Sequence, residues 1–431
     1  MTRQGYLYFA IMAALLLAVG FGQSWNVAFG ILNLCLISAV MSLGVNIQWG
    51  YAGLFNVGIM GFAALGGMTA VLVSMPPVTD AWVAGGWGIF FSLIGLIITV
   101  LAVIGVRRVT PKKWRAWATT AAVIVGFFAI RLVYDPAVER IEAVNPAHSG
   151  YLGGMGLPII LSWLAGGVVA AGAAWIIGKI SLGLRADYLA IATLGISEII
   201  IAILKYEEWL TRGVKNVTGL PRPVPYEVDL MESGWFLGLV ENFGWDLADT
   251  ASVFVKISYA LLFLMVLAIV MWLSERALKS PWGRMMRAIR DNRDAASAMG
   301  KDVTSRHLQV FILGCAVCGV AGAMLTTLDG QLTPTSYIPM RYTFLIWVMV
   351  IIGGSGNNWG SVLGGFVIWF LWIEAEPLGN WLMQVVTAPM EDGSSLKTHL
   401  INSAAYTRLI MMGGLLLLVM RFAPRGLIPE R

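Results

Sequence analysis

The sequence predicts an all-α, polytopic integral membrane protein of roughly 10–12 transmembrane segments, some of them discontinuous, with a short amphipathic helix on one side of the membrane. Three observations lead there. Of 431 residues, 58% are hydrophobic and only 12% charged, too few charges to cover a water-exposed surface. Mean hydropathy is +0.77. Gly (49) and Trp (18) are both abundant, as suits closely packed helices and interfacial anchors.

About 20 apolar residues cross a bilayer core. Such runs lie near 6–22, 27–47, 54–74, 88–106, 116–134, 157–178, 186–204, 256–274, 306–328 and 404–421. Arg3 before the first run resembles a signal peptide, but no small-residue cleavage site follows, so it reads as a retained helix. The run 342–373 is long enough for two passes but is interrupted by Gly353–Gly360, and Trp49–Gly58 has the same broken character. Irregular backbone at membrane depth persists only under protein cover or beside a watery cavity, which makes both breaks candidates for a translocation path. All of 1–431 reads as one transmembrane domain, with a long outer loop at 205–255 and a cytoplasmic loop at 280–305.

Charge sets orientation. Residues 107–115 hold five basic residues, 275–306 eight, and 421–431 three, and these segments are expected inside. The 205–255 loop has eight acids against four bases and is expected outside. Alternation closes with both termini cytoplasmic in a multi-pass inner-membrane protein. The net charge of +5 comes from the inner loops, and topology and anionic lipid account for it; no basic stripe with interleaved aromatics suggests nucleic acid.

Catalytic machinery is not evident. Gly178-Lys179 and Gly300-Lys301 lack the spacing and the Ser/Thr of a phosphate-binding loop. His148, His307 and His399 are far apart, and Cys35, Cys315 and Cys318 lie in apolar runs, so neither a metal site nor a disulfide framework is expected. No cofactor and no catalytic residue is expected in this chain. A transport subunit that borrows its energy fits better than an enzyme.

The segment Ser280–His307 is the most informative. Ser280-Pro281 is a cap and first-turn pair. Trp282, Met285, Met286, Ile289, Ala296 and Met299 approximate one helix face, with Arg284, Arg287, Arg290 and Arg293 around it and Gly300 as a stop. A basic helix resting on lipid is the plain reading. Against it, Asp294-Ala295-Ala296 and Gly300 reproduce, with Asp for Glu, the E-A-A-x-x-x-G signature of ABC importer permeases.

Further blocks resemble the branched-chain amino-acid ABC importer permeases, LivM type. They are NIQWGYAGLFNVGIMGFAALGG (46–67), LRADYLAIATLGISEII (184–200), PWGRMMRAIRDNRDAASAMG (281–300), VIIGGSGNNWGSVLGG (350–365) and the tail 421–428. Together they span roughly three-quarters of the chain. The family more often has His or Tyr where Ile59 and Met60 stand, and its members are usually shorter; against them the excess here reads as a helix pair inserted around 88–156 and longer outer loops near 221–255 and 376–402. The resemblance implies a homologous second permease, two cytoplasmic ATPase subunits holding ATP and Mg, and a periplasmic amino-acid-binding protein. It implies ATPase coupling through Asp294, Ala295, Ala296, Gly300, Arg287 and Arg290. Urea and short-amide importers belong to the same family with a different second block, and a stand-alone secondary transporter or channel is the reading from another class.

Several residues carry two readings each. Glu198, a carboxylate expected buried in an apolar run, either bonds a neighbouring helix or lies near the path. Asp187 and Arg185 fit an ion pair or snorkelling at the inner interface. Asn46, Asn56, Asn357 and Asn358 sit at the breaks, where amides satisfy freed backbone or meet a ligand. Gly53, Gly58, Gly353, Gly354, Gly356 and Gly360 allow close approach there or tight packing, and Trp359 fits an interfacial anchor better than a plug. Glu198, Asn56, Gly58, Gly353, Gly354 and Asn357 are the candidate path residues. Glu207, Glu208, Glu227, Asp229 and Glu232 form an acidic loop long enough to dock a binding protein.

Overall fold

Each apolar run becomes a helix, and polar caps set where it starts. The computed structural model describes residues 3–146, 149–390 and 394–430; His148, Glu391, Asp392 and Arg431 lie outside them. In chain order the main helices are α1 (Arg3–Gly22), α2 (Trp25–Ala52), α3 (Ile59–Ser74), α4 (Thr79–Val109), α5 (Lys112–Ala143), α6 (Ile159–Ser181) and α7 (Ala186–Tyr206). There follow α8 (Leu247–Lys279), α9 (Pro281–Asp291), α10 (Arg293–Ala298), α11 (Val303–Asp329), α12 (Pro339–Gly353), α13 (Asn358–Thr387) and α14 (Thr407–Phe422). Among the described residues nine helices are long and apolar enough to span a membrane, and the bent pair Ser395–Asn402 with α14 makes up to ten. α3 and α12 are shorter apolar helices. The protein is therefore an all-α polytopic membrane protein.

The caps are local. Ser24 accepts from the Val27 amide at the start of α2, Asp246 from Asp249 at α8, and Asp302 from Ser305 at α11. Gly53 ends α2 at φ 67°.

The core is a bundle of α2, α3, α6, α8, α11, α12 and α13. α3, α6 and α11 approach closely: a Cβ built at Gly66 of α3 would overlap the Gly319 carbonyl of α11. Small residues permit this contact, and dispersion between backbones then holds the helices together where lipid offers no hydrophobic drive.

The segment read as an insert forms the hairpin α4–α5, which packs mainly on itself and exposes most of its side chains. Its ends are close, since Pro77 and Gly153 pair as an antiparallel bridge. Ala81, Ile89, Ala137, Ile141 and Leu152 make its own small core. At this same base Trp209 Nε1 donates to Tyr134 Oη at 2.7 Å and to the Glu207 carboxylate at 2.8 Å.

Several expectations change. A two-stranded antiparallel pair, β1 (Val217–Thr218) with β2 (Gln331–Leu332), ties the 205–255 loop to the segment after α11. Residues 376–387, expected as loop, continue α13. Glu198 is exposed on this chain rather than buried, because α7 packs one face on α3, α6 and α12 and leaves the other uncovered. Met299 is 80% exposed rather than on the buried face, because α10 turns away from the bundle after Asn292.

Candidate functional site

Three features converge at one end of the bundle: the break after α2, the break between α12 and α13, and α9. Ser280 caps α9 with Pro281 in its first turn, as its sequence dictates. Gly283, Met286 and Ile289 bury its apolar face, Met286 completely. Ile289 brings its neighbour Arg290 to the breaks.

Arg290 is the cross-brace. Its Nη1 donates to the Gly50 carbonyl of α2 and, at 2.8 Å, to Glu430 Oε2 in the tail; its Nε meets Asp291 at 3.1 Å. Burial opposes the charge, but the Glu430 and Asp291 carboxylates outweigh it and raise the guanidinium above its ordinary value. The tail in turn lines the second break. Leu427 N donates to the Ile352 carbonyl (2.8 Å), Ile428 N to that of Gly353 (2.9 Å), and Asn357 Nδ2 to that of Pro429 (3.0 Å).

These bonds explain two predicted glycines. Gly354 has φ 116°, a region closed to side chains, and a Cβ there would meet the Ile428 carbonyl. Gly353 packs against the Gly360 carbonyl across the break. The break therefore lies beneath the tail and α9, at the end of the bundle, and protein covers its backbone. Asn357 caps α13 through the Trp359 and Gly360 amides.

A buried amide network links the breaks sideways. Asn46 Oδ1 accepts from Gly356 N at 2.9 Å, and its Nδ2 reaches Asn358 Oδ1 at 3.2 Å. The Tyr51 hydroxyl also bonds Asn358, whose Nδ2 donates to Glu275 of α8 at 3.1 Å. Asn46 and Asn358 thus satisfy each other and freed backbone, the structural use expected of buried amides.

Asn56 and Gly58 shape the first break. Asn56 Nδ2 donates to Gln48 (2.9 Å), its Oδ1 accepts from Gly58 N (2.9 Å), and its carbonyl accepts from Trp347 Nε1 (3.0 Å). Val57 N donates to Thr193 of α7 at 3.0 Å. Beside them Trp49, Phe55 and Trp347 form an aromatic cluster with centroids 4.6–5.5 Å apart. Sequence reasoning missed this cluster, since each aromatic alone reads as core or interface.

Below Phe55 lies a cavity of about 180 Å³, lined also by Gly53, Leu189, Ile289, Arg290, Arg293 and His307. It opens on the α9 end. Beyond α9 the chain projects: Asn292 caps α10 through the Ala295 amide at 2.9 Å, Ala296 is buried, and Asp294, Ala295 and Met299 are exposed. Gly300 follows at φ 76° with open space around it. Arg287 is half-buried on α9, near Tyr51.

Glu198 lies elsewhere. With Tyr188, Ile191, Gly195 and Ile199 it forms an exposed stripe at helical spacing on α7. A carboxylate left in lipid at mid-span costs about 2.5–3.5 kcal/mol on the insertion scale for Asp, so this face calls for a polar neighbour.

Residues 27–420 match the family model for the branched-chain amino acid transport system / permease component. The chain is 25% identical over 397 residues to a probable branched-chain amino acid transport permease protein LivM of Methanocaldococcus jannaschii, covering 91% of this chain and 90% of that one. It is 27% identical over 272 residues to the high-affinity LivM permease protein of Salmonella typhimurium, covering 61% of this chain and 56% of that one, and 26% identical over 159 residues to the LivH permease protein of the same organism, covering 37% and 46%. No solved structure gives a significant match. With nearly its whole length matched and its apolar helices folded as a polytopic bundle, the chain belongs to the family of branched-chain amino acid transport permease components.

Proposed function

We propose that this permease works in an ATP-driven importer for branched-chain or other apolar amino acids. It sits in the inner membrane with both termini and α9–α10 on the cytoplasmic side. Its partners are a homologous second permease, two cytoplasmic ATPase subunits that bind ATP and Mg, and a periplasmic binding protein that docks on the acidic 205–255 loop. Lipid covers the remaining apolar faces. The likeness to both LivM and LivH proteins supports a permease pair.

The observation that carries this reading is the exposed α10 arm rooted through Arg290 in both helix breaks. An ATPase gripping Asp294, Ala295, Ala296 and Met299 moves α9 and, through Arg290, the ends of α2 and α12 together. Gly353, Gly354 and Asn357 then act as the joint that moves with the arm, while Asn56 and Gly58 border the path beside the aromatic cluster. Glu198 and its stripe face the second permease, which supplies the polar neighbour.

Reconstituted with its copurifying subunits, the wild type is expected to take up labelled leucine only with ATP inside the vesicle for the ATPases. Uptake that ignores ATP and follows an ion gradient, with no ATPase subunit bound, overturns the proposal. Uptake of urea or short amides in place of leucine moves the substrate class within the same mechanism and overturns the amino-acid assignment.

A further inference from the structure

A cavity of about 280 Å³ reaches Asp329 and mixes hydroxyls, an amide and this one exposed acid in its lining, so it defines no ligand of one charge. The cavity of about 180 Å³ beneath Phe55 is different, because its polar side chains are all bases: Arg290, Arg293 and His307. Its remaining walls are apolar, among them Leu54 and Phe55 of the first break and Leu184 and Leu189 at the start of α7.

His307 is the group that points to a ligand. It stands in the second turn of α11, 7% exposed, and its Nε2 is shielded from solvent with no hydrogen-bond partner. A buried polar atom left unmatched is costly, so a site that keeps one open is completed from outside the chain. The two arginines do not share that need: Arg290 is matched by Glu430 and Asp291, and Arg293 is exposed. What they do is set the sign of the ligand. Two guanidiniums beside the imidazole, with no carboxylate in the lining, repel a cation and favour an acceptor facing Nε2, with the ring proton on that nitrogen. Among the described residues no carboxylate pairs with Arg293, so its fork can turn onto an anion without breaking an ion pair.

Size and donor geometry narrow the anion further. The cavity is smaller than ordinary small-molecule sites of about 300–1,000 Å³ and suits a single oxyanion group. Its donors come from α9, α10 and α11, and a tetrahedral phosphate offers acceptors in several directions where a planar carboxylate offers two oxygens. We propose that this cavity is a phosphate site at the root of the α10 arm, with His307 Nε2 and the Arg293 guanidinium donating to the phosphate oxygens and Arg290 adding charge beside them. Two sources carry that chemistry: free phosphate from the aqueous phase, and the headgroup of an anionic phospholipid whose tail leaves past the exposed Leu184. Either one bridges the first residue of the arm to α11, so an occupied site stiffens the arm against the break. That the site faces the cytoplasm rests on the transport reading; binding is measured without ATP turnover, and its failure leaves the uptake experiment untouched.

The test is equilibrium binding of radiolabelled inorganic phosphate to the full chain, purified in detergent with its accompanying subunits, with ADP and Mg saturating the ATPases. In parallel, mass spectrometry measures the phosphatidylglycerol that stays bound after purification from vesicles of that lipid. The expected result is saturable phosphate binding that raises the melting temperature. Arg293→Gln and His307→Ala should each weaken it by about tenfold or more, and His307→Gln, which keeps a side-chain N–H, should recover part of the loss. Arg284→Gln, an exposed base of α9 outside the lining, makes the same change in net charge and should leave binding unchanged. Arg293 and Arg284 are both exposed, so their variants should fold and keep the test decisive even if His307→Ala does not. If wild type binds no free phosphate, but wild type and Arg284→Gln retain phosphatidylglycerol that Arg293→Gln loses, the phosphate is assigned to the lipid. Equal binding by Arg293→Gln and wild type, an equal loss in Arg284→Gln, or neither phosphate nor lipid held overturns the proposal.

Discussion

Arg290 and Glu430, 140 residues apart in sequence, pair at 2.8 Å and lock an amphipathic helix to the chain's tail across two helix breaks. Both side chains are about a quarter exposed. Such a pair contributes more than an open surface bridge, although solvent still screens part of it. Arg290→Ala and Glu430→Gln should each lower leucine uptake per ATP hydrolysed by the assembled complex. The double variant should be no worse than the more impaired single one, because both remove one contact. Additive losses would mean that the two residues act separately. Since the guanidinium's affinity for its proton is raised, this coupling should hold as pH rises from 6 to 9, and would weaken only above the ordinary arginine range.

At the exposed arm, Ala295→Trp should leave the melting temperature of the permease unchanged, because nothing in this chain covers Ala295. In the complex it should separate ATP hydrolysis from uptake. Gly300→Ala has room for its methyl group but forces φ 76° on an L-residue, at about 1 kcal/mol. A small fall in melting temperature with partial loss of coupling is the expected readout.

Gly66→Leu tests one of the closest helix approaches. The added side chain must displace the Gly319 backbone, and overpacking of this kind costs about 1–3 kcal/mol. Thermal unfolding in detergent should show a clear drop, whereas Gly172→Leu, on an open face of α6, should show little.

Trp347→Ala should be harsher, removing about 3–5 kcal/mol of packing along with the bond to the Asn56 carbonyl. If the cluster of Trp49, Phe55 and Trp347 closes a path, the variant that still assembles should also leak leucine downhill without ATP. Vesicle efflux equal to wild type would show that the cluster only packs.

Replacing residues 78–152 by a short Gly-Ser linker should preserve the rest of the bundle, since Pro77 and Gly153 already touch. Circular dichroism and melting of the shortened chain measure this. Collapse of the α3, α6 and α11 packing would show that the hairpin supports the core.

The spans were legible because 20 apolar residues have few other fates, and the cap Ser280 was legible because its partner lies three residues away. Both breaks could be found from their glycines. What the sequence did not reveal is who meets them: Arg290 and Ile428 reach Gly50 and Gly353 from distant segments, and no local pattern encodes that. The burial expected of Glu198 was not found, because hydropathy describes how apolar a span is, not which of its faces a neighbour covers. The cavity that reaches Asp329 was invisible for the same reason, its walls coming from five helices and a loop.

The tail bond between Asn357 and Pro429 spans 72 residues, so the seam between α12 and α13 stays open during synthesis until α14 has been made and inserted. The segment made after α14 acts as a closing stitch. Ribosome-bound intermediates stopped before Leu427 would leave the carbonyls of Ile352 and Gly353 without their amide donors, and quality-control proteases would find the unfinished molecule by that gap.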